Sequence, residues 1–193
     1  MRKWNDDPFT KKARKENYEA RSVYKLQEIQ KRDRVLDNAR AILDLGAAPG
    51  SWSQFCLEIA PKANVFAIDL SPIHISNPRL KFLEGDIEQV DMAQLIAPVT
   101  QVDVVLSDMA PKTTGIASVD VARSTELVAL ALRVADHLLA PKGNMVAKLF
   151  MGESLKTVEA AFIARFDTTR LFRPESTRKQ SKEIFLIGKS RRA

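Results

Sequence analysis

One twelve-residue stretch, LDLGAAPGSWSQ at residues 43–54, constrains the fold of this chain more than any other. An apolar run enters it from residue 41 and meets Asp44 just before a glycine-rich turn between Gly46 and Gly50. A segment with helical character follows at residues 52–60. A buried parallel strand that turns sharply into a helix leaves backbone N–H groups and a positive dipole end facing a crevice. The stretch therefore favours an α/β fold with a ligand site at this turn.

The glycine spacing narrows the choice of ligand. The dinucleotide fingerprint G-x-G-x-x-G does not occur in the turn. The looser spacing from Gly46 to Gly50 is typical of an S-adenosylmethionine (SAM) site, where no pyrophosphate has to be held. For the glycines alone, an ordinary strand-to-helix turn remains an equal alternative.

Composition limits the class of protein. The 193 residues fit a single domain, which we divide into a basic helical segment at 1–40 and a SAM-binding catalytic core at 41–193. No apolar run approaches the roughly 20 residues of a membrane span, and the first 20 residues lack the apolar stretch of a signal peptide. We therefore expect a cytoplasmic protein that makes no contact with a membrane, and we expect it to be monomeric.

Cysteine and histidine usage argues against a metal site. The single cysteine, Cys56, excludes an internal disulfide and a cysteine metal cluster, and its place on the apolar side of a helix makes it a core residue. His74 and His137 lie far apart without ligand spacing around them. We expect no metal.

The net charge of +6 is distributed unevenly. Residues 1–40 carry 12 Lys and Arg against 7 Asp and Glu, and residues 170–193 carry 8 against 2. The middle, residues 41–169, carries 10 against 15. Basic flanks on a compact domain suit a polyanion such as RNA, because phosphate contacts supply affinity that does not depend on sequence. A solubilising surface is the alternative.

Strands and helices alternate along the chain. A helix is predicted at 22–34, with Val23, Leu26 and Ile29 available for packing. A long helix is predicted at 119–139, with an apolar face and a stop at Pro141, and a further helix at 153–166. Short apolar runs predict strands at 41–45, 64–70, 80–84, 102–107 and 144–150, followed by an antiparallel pair at 168–172 and 183–188. This alternation implies a doubly wound, mostly parallel sheet with helices on both faces and an antiparallel closing strand.

Acidic residues recur where the strands end. Asp44 lies in the first strand, Asp69 ends the second, Asp86 follows the third and Asp108 follows the fourth. Ligands of such sheets bind beyond the carboxyl ends of the strands, and Asp69 falls near the offset at which an acid meets ribose hydroxyls. For any one of these residues a cap or turn role is the simpler interpretation. A cationic sulfonium cofactor that carries a ribose would give the four acids a shared purpose.

Four further motifs resemble a known family. SVYKL at 22–26, LSDMAP at 106–111, VAKLF at 146–150 and SKEIF at 181–185, together with the glycine turn, are similar to the motifs of the FtsJ family. Its members are RNA ribose 2′-O-methyltransferases with a Rossmann-like, SAM-dependent fold. The resemblance covers essentially the whole chain, in order. A compact chain of this kind resembles the bacterial type, which methylates a uridine of 23S ribosomal RNA in the large subunit. The runner-up is the type that methylates the transfer-RNA anticodon loop.

The resemblance implies a set of site residues. The catalytic residues it implies are Lys25, Asp108, Lys148 and Glu183, and those it implies for SAM are Gly50, Trp52, Asp69, Asp86 and Asp108. A ribose hydroxyl is a poor nucleophile until a positioned base accepts its proton, which makes Lys148 the candidate base. In this interpretation Asp108 and Glu183 orient the Lys148 ammonium, while Lys25 contacts the ribose or assists Lys148.

Each of these residues also has a simpler interpretation. Lys25 is by itself typical of an exposed helix lysine, Glu183 of a surface ion pair with Lys182 or Arg178, and Trp52 of a packing residue. Lys148 is harder to explain that way, because a charge is unfavourable inside an apolar run.

Other functions fit the sequence less well. Asp108-Met109-Ala110-Pro111 differs from the Asp-Pro-Pro-aromatic pattern of amino-directed base methyltransferases, and Cys56 is misplaced for a cytosine-5 enzyme. A small-molecule O-methyltransferase has no need of basic ends. An RNA-binding ribosome assembly factor without turnover remains open, although the chain retains all four catalytic residues.

Overall fold

Seven strands form one sheet in the part of the chain that the computed structural model describes, residues 7–193. Residues 1–6 of the predicted N-terminal segment lie outside that range. The strands are β1 Ala41–Leu45, β2 Asn64–Asp69, β3 Leu80–Glu84, β4 Val102–Ser107, β5 Leu139–Phe150, β6 Phe166–Phe172 and β7 Glu183–Arg191.

The sheet is doubly wound. Its order is β3-β2-β1-β4-β5-β7-β6, in which β3, β2, β1, β4 and β5 are parallel and β7 is antiparallel to both of its neighbours. The chain reaches the far edge at β3 and then crosses back to β4, so the winding direction reverses between β1 and β4. Open sheets of this kind bind ligands at that switch point, beyond the carboxyl ends of the strands. The predicted fold class is confirmed.

Helices cover both faces of the sheet. They are α1 Pro8–Lys15, α2 Val23–Asp33, α3 Ser51–Ile59, α4 Met92–Ile96, α5 Ala117–Leu138 and α6 Leu155–Arg165. One apolar cluster joins α4, α5 and α6 to the sheet, and another joins α1, α2 and α3 to the opposite face. Val23, Leu26 and Ile29 are fully buried in the second cluster, as the pattern of that helix predicted.

Local patterns located most elements but not all of their limits. Strands β1, β3 and β4 have the predicted bounds, whereas β5 begins five residues earlier than predicted, at Leu139. Helix α5 accordingly ends at Leu138, before Pro141, which lies inside β5. The apolar pattern of this helix predicts a buried face of Leu127, Leu130, Ala131, Val134 and Leu138. Ala131, Val134 and Leu138 are buried as predicted, whereas Leu127 and Leu130 are only partly buried. Helices α1 and α4 were not predicted, because each is short and gains its stability from packing.

Candidate active site

The glycine turn after β1 adopts a conformation that requires its glycines. Gly46 has φ +75° and Gly50 has φ +115°, and both values lie in the left-handed region. A Cβ atom on Gly46 would lie 2.6 Å from the Cγ atom of Met109 and 3.0 Å from its backbone nitrogen. A Cβ atom on Gly50 would lie 2.3 Å from the Cδ1 atom of Ile75. The turn is therefore a close junction between the loops that follow β1, β2 and β4.

Asp69 and Asp86 lie at the same edge of the sheet. The Asp69 carboxylate accepts the N–H of Ala48 in the glycine turn at 3.0 Å and the N–H of Ser71 at 2.8 Å. The carboxylate of Asp86, two residues beyond β3, accepts the N–H of Glu88 at 3.0 Å. Both acids make local turn contacts and both are partly exposed. Their predicted contacts with the ribose and adenine of a cofactor remain predictions.

Trp52 lies in the core beneath the turn. Its side chain is 2% exposed, and its ring centroid lies 5.8 Å from that of Phe185 on β7. The indole Nε1–H donates to the backbone carbonyl of Ser22 at 2.9 Å. Trp52 thus joins α3 to β7 and to the start of α2. The cofactor contact that the family resemblance implies for it remains a prediction.

Asp44 is a completely buried acid at the end of β1. The Ser53 hydroxyl donates to its Oδ2 atom at 2.7 Å, and its Oδ1 atom has no hydrogen-bond partner among the described residues. The pKa of Asp44 is raised to about 7, mainly by burial and also by the nearby Asp108 and Asp69 carboxylates, against the lowering effect of the Ser53 hydrogen bond. An unpartnered buried carboxyl oxygen beside two other acids suits a cationic ligand at this edge. The residues present therefore fit a sulfonium cofactor.

Asp44 makes the stability of the protein depend on pH. Its folded-state pKa of about 7 exceeds the ordinary value of about 3.9, so between these values the folded chain holds a proton that the unfolded chain has released. The free energy of unfolding contributed by this group falls as pH rises through that window, by at most about 1.4 kcal/mol per pH unit. We expect Asp44→Asn to gain stability relative to the natural protein between pH 5 and pH 8, measured by urea unfolding. Parallel pH curves for the two proteins would contradict this expectation.

Lys148 and Asp108 form an ion pair at the ends of adjacent strands. The Lys148 ammonium lies 2.9 Å from Asp108 Oδ1 and also donates to the Asp108 carbonyl oxygen, and its side chain is 7% exposed. Asp108 Oδ1 has no aligned hydrogen-bond donor among the described residues, so the carboxylate contact is an ion pair and the directed hydrogen bond goes to the carbonyl. The buried charge of Lys148, which is unfavourable within an apolar strand, is therefore balanced by the carboxylate of Asp108.

Lys25 and Glu183 form a second pair beside the first. Their charged atoms are 2.7 Å apart, and the two side chains are 11% and 13% exposed. Glu183 opposes Phe150 in the β5–β7 register, and Lys148 opposes Phe185. Glu183 and Lys148 are therefore diagonal neighbours on one face of the sheet, a relation that places backbones about 7–8 Å apart. Asp108 thus contacts Lys148 and Glu183 contacts Lys25, while the predicted roles of these residues in catalysis remain predictions.

A cleft opens next to the second pair. It has a volume of about 220 Å³ and is lined by Arg21, Ser22, Lys25, Arg178, Ser181 and Glu183. The sequence analysis did not single out Arg21, Ser22 or Ser181 as site residues. Their positions in the sequence could have indicated them. Ser22 is the first residue of the SVYKL motif, Ser181 is the first residue of the SKEIF motif, and Arg21 immediately precedes Ser22. The cleft combines guanidinium, hydroxyl and carboxylate groups, which suits a ligand that carries both phosphate and hydroxyl groups.

The described residues contain neither a metal-binding cluster nor a membrane-spanning helix. Residues 7–193 contain no group of three or more His, Cys, Asp or Glu side chains arranged to hold a metal ion. No helix within that range has the length and apolar character needed to span a membrane. The burial of Cys56 raises the pKa of its thiol, which fits a core residue.

Two solved structures share the fold of this chain. A crystal structure of a proposed ribosomal RNA methyltransferase from Plasmodium falciparum superposes with a TM-score of 0.78 at 24% identity, covering 90% of this chain and 98% of that one. A fibrillarin/Nop5p complex gives a TM-score of 0.57 at 16% identity, with 78% and 72% coverage. These likenesses show a shared α/β fold.

Sequence comparison then fixes the family. The model of the FtsJ-like methyltransferases matches residues 18–191, and the chain belongs to that family. A relative from Desulforapulum autotrophicum, named ribosomal RNA large subunit methyltransferase E, is 46% identical over 184 residues, covering 94% of this chain and 91% of its own length. A relative of the same name from Bdellovibrio bacteriovorus is 40% identical over 190 residues, with 96% and 97% coverage.

Proposed function

We propose that this chain methylates the 2′-hydroxyl of a ribose in large-subunit ribosomal RNA, with SAM as the methyl donor. The observation that carries the proposal is the pairing of Lys148 with Asp108 and of Lys25 with Glu183 on one sheet edge, next to the glycine turn. The names of the relatives support the RNA substrate, and the family supports methyl transfer.

The cofactor would occupy the switch point between β1 and β4. Gly46 and Gly50 allow the loops after β4 and β2 to pack closely against this turn, and Asp69, Asp86 and Asp108 would hold the ribose, the adenine and the methionine end respectively. SAM supplies an electrophilic methyl group, which a ribose oxygen can attack once its proton is accepted. The unpartnered Oδ1 atom of Asp44 adds negative potential beneath this site.

The two lysine–acid pairs have different roles: Lys148 and Asp108 serve proton transfer, and Lys25 and Glu183 orient the ribose. Lys148 releases its own proton to solvent and then accepts the 2′-hydroxyl proton at Nζ. Asp108 lies 2.9 Å from that nitrogen and stabilises the ammonium ion that results. Glu183 holds the Lys25 ammonium at 2.7 Å, which fixes it as a hydrogen-bond donor to the ribose. The low exposure of both lysine side chains strengthens these interactions.

The basic surface near the cleft would bind the RNA backbone. Helix α1 carries Lys11, Lys12, Arg14 and Lys15, and Arg21 and Arg178 line the cleft itself. We propose a uridine of 23S ribosomal RNA as the target, a monomeric enzyme and action in the cytoplasm. Methylation of the transfer-RNA anticodon loop is the alternative, and the large-subunit names of the relatives favour the first.

The substrate is tested by incubation with radiolabelled SAM and, separately, large ribosomal subunits, small subunits, free ribosomal RNA and transfer RNA. We expect label in the large subunit or its RNA, mapped to one ribose. A matched RNA with a 2′-deoxy nucleotide at the mapped position serves as the control, and we expect it to accept no label because the acceptor oxygen is missing. Label in that control would contradict ribose methylation. Absence of label in every RNA would instead favour a ribosome assembly factor without turnover.

A further inference from the structure

The loop between β6 and β7, residues 173–182, forms one wall of the cleft. It contributes Arg178 and Ser181 to the lining, and Glu183 follows it directly. The loop contains no glycine, and Ser176 and Thr177 within it are buried, at 1% and 7% exposure. Ten residues without regular secondary structure therefore hold a defined shape beside the Lys25–Glu183 pair. Two backbone hydrogen bonds form turns within the loop, from the Thr177 N–H to the Pro174 carbonyl at 3.0 Å and from the Ser181 N–H to the Arg178 carbonyl at 2.9 Å, and side chains add further contacts.

Arg173 holds the second half of the loop. Its guanidinium donates to the carbonyl of Ser181 at 2.7 Å and to that of Glu183 at 3.2 Å. It also donates to the carbonyl of Arg178 at 3.2 Å and to that of Lys179 at 3.4 Å. The planar fork of an arginine suits several acceptors at once, whereas a lysine ammonium is a point charge. Arg173 is itself exposed, so it contributes through these hydrogen bonds more than through packing.

Glu28 holds the first half of the loop from α2. One carboxylate oxygen accepts the N–H of Glu175 at 2.6 Å, and the other accepts the N–H of Ser176 at 2.9 Å. Arg21, also close to α2, donates to the Ser176 carbonyl. The Glu28 carboxylate therefore accepts two backbone N–H groups of the loop, and the Arg21 guanidinium donates to one of its carbonyl groups. Glu28 lies on α2 and Arg173 immediately follows β6, and the cleft residues Arg178, Ser181 and Glu183 follow Arg173 in sequence.

We infer that Arg173 and Glu28 are positioning residues, which hold the β6–β7 loop so that Arg178, Ser181 and Glu183 are placed before RNA arrives. This inference rests on the proposed function, since it gives the loop the role of a prearranged ribose and phosphate wall. Prearrangement matters because a displacement of about 1 Å at a reacting group can reduce a rate about 100-fold. Neither residue touches the reacting atoms, so each acts through the residues that it holds.

The test compares Arg173→Gln and Glu28→Ala with the natural protein and with Arg170→Gln. Arg170 is a control of the same residue type because it lies on β6 and its guanidinium faces Asp33 at 3.9 Å instead of the loop carbonyl groups. Backbone amide exchange is measured over residues 174–183 and over β5. Binding of S-adenosylhomocysteine and kcat and KM for ribosomal RNA are measured on the same samples.

We expect faster exchange in the loop of both variants, with β5 unchanged. We expect kcat/KM for RNA to fall about 10- to 100-fold, with part of the loss in kcat, while S-adenosylhomocysteine affinity stays unchanged. The double variant should lose less than the product of the two single effects, because both anchors hold the same loop. Arg173→Lys, which retains the charge, should recover only part of the loss.

Two outcomes overturn the inference. Exchange in the loop that stays as slow as in the natural protein shows that the anchors do not hold it. Faster exchange with unchanged kcat and KM shows that the loop's order has no bearing on methyl transfer. A natural protein that labels no RNA contradicts the proposed function instead, and the exchange measurement separates that failure from the other two.

Discussion

Replacement of Lys148 by alanine is expected to lower kcat for RNA methylation by about 100- to 10,000-fold, the range typical of a lost general base. The physical reason is that Lys148 Nζ is the basic atom held by Asp108 at the end of β5, next to the glycine turn. Affinity for S-adenosylhomocysteine should change little, because the substitution removes a proton acceptor and not a cofactor contact. Single-turnover transfer from radiolabelled SAM to large-subunit RNA, with a separate binding measurement, checks both expectations.

Two companion variants sharpen the test of Lys148. Lys148→Met keeps most of the side-chain volume without the amine, so equal losses in the two variants assign the effect to the amine rather than to a cavity. Lys142→Ala is the control on the same strand, because its side chain is 75% exposed and pairs with Asp167 at the opposite end of β5. Methyl transfer by Lys148→Ala at the natural rate would refute the proposed mechanism.

Trp52→Ala is expected to reduce the free energy of unfolding by about 3–5 kcal/mol, the usual cost of removing a large buried aromatic side chain. The indole lies against Phe185 and donates to the Ser22 carbonyl, so its loss opens a cavity where α3, α2 and β7 meet. Trp52→Phe keeps an aromatic ring but removes the donor, and we expect it to cost about 1 kcal/mol. Urea unfolding at constant pH measures both changes.

The same two variants address the role that family resemblance assigned to Trp52. If packing is its main contribution, Trp52→Phe binds S-adenosylhomocysteine with unchanged affinity. A large loss of affinity in that variant, with the fold intact, would support the predicted cofactor contact. Phe162→Ala provides a control for stability, since Phe162 is fully buried in the cluster on the other face of the sheet.

The sequence determined those parts of the fold that depend on near neighbours along the chain. Residues 41–45, 80–84 and 102–107 are strands with the predicted bounds, because each is a short apolar run closed by a polar or turn residue. The glycine turn was identifiable because positive φ at Gly46 and Gly50 favours one residue type. The motifs around Lys25, Asp108, Lys148 and Glu183 identified the family, which the comparison confirmed.

The pairing of charged side chains depends on the tertiary structure and could not be predicted from local sequence. Glu183 was expected to orient Lys148, but the insertion of β7 beside β5 places it against Lys25, a residue 158 positions away. The burial of Asp44, which sets its pKa, depends on α3 packing over β1. Glu28 and Arg173 likewise hold the β6–β7 loop through contacts that no local sequence pattern predicts. Local patterns determine whether a segment forms a helix or a strand. The strength of a charge interaction depends instead on the distance between the charges and on their exposure to solvent, and the order of the strands in the sheet sets both quantities.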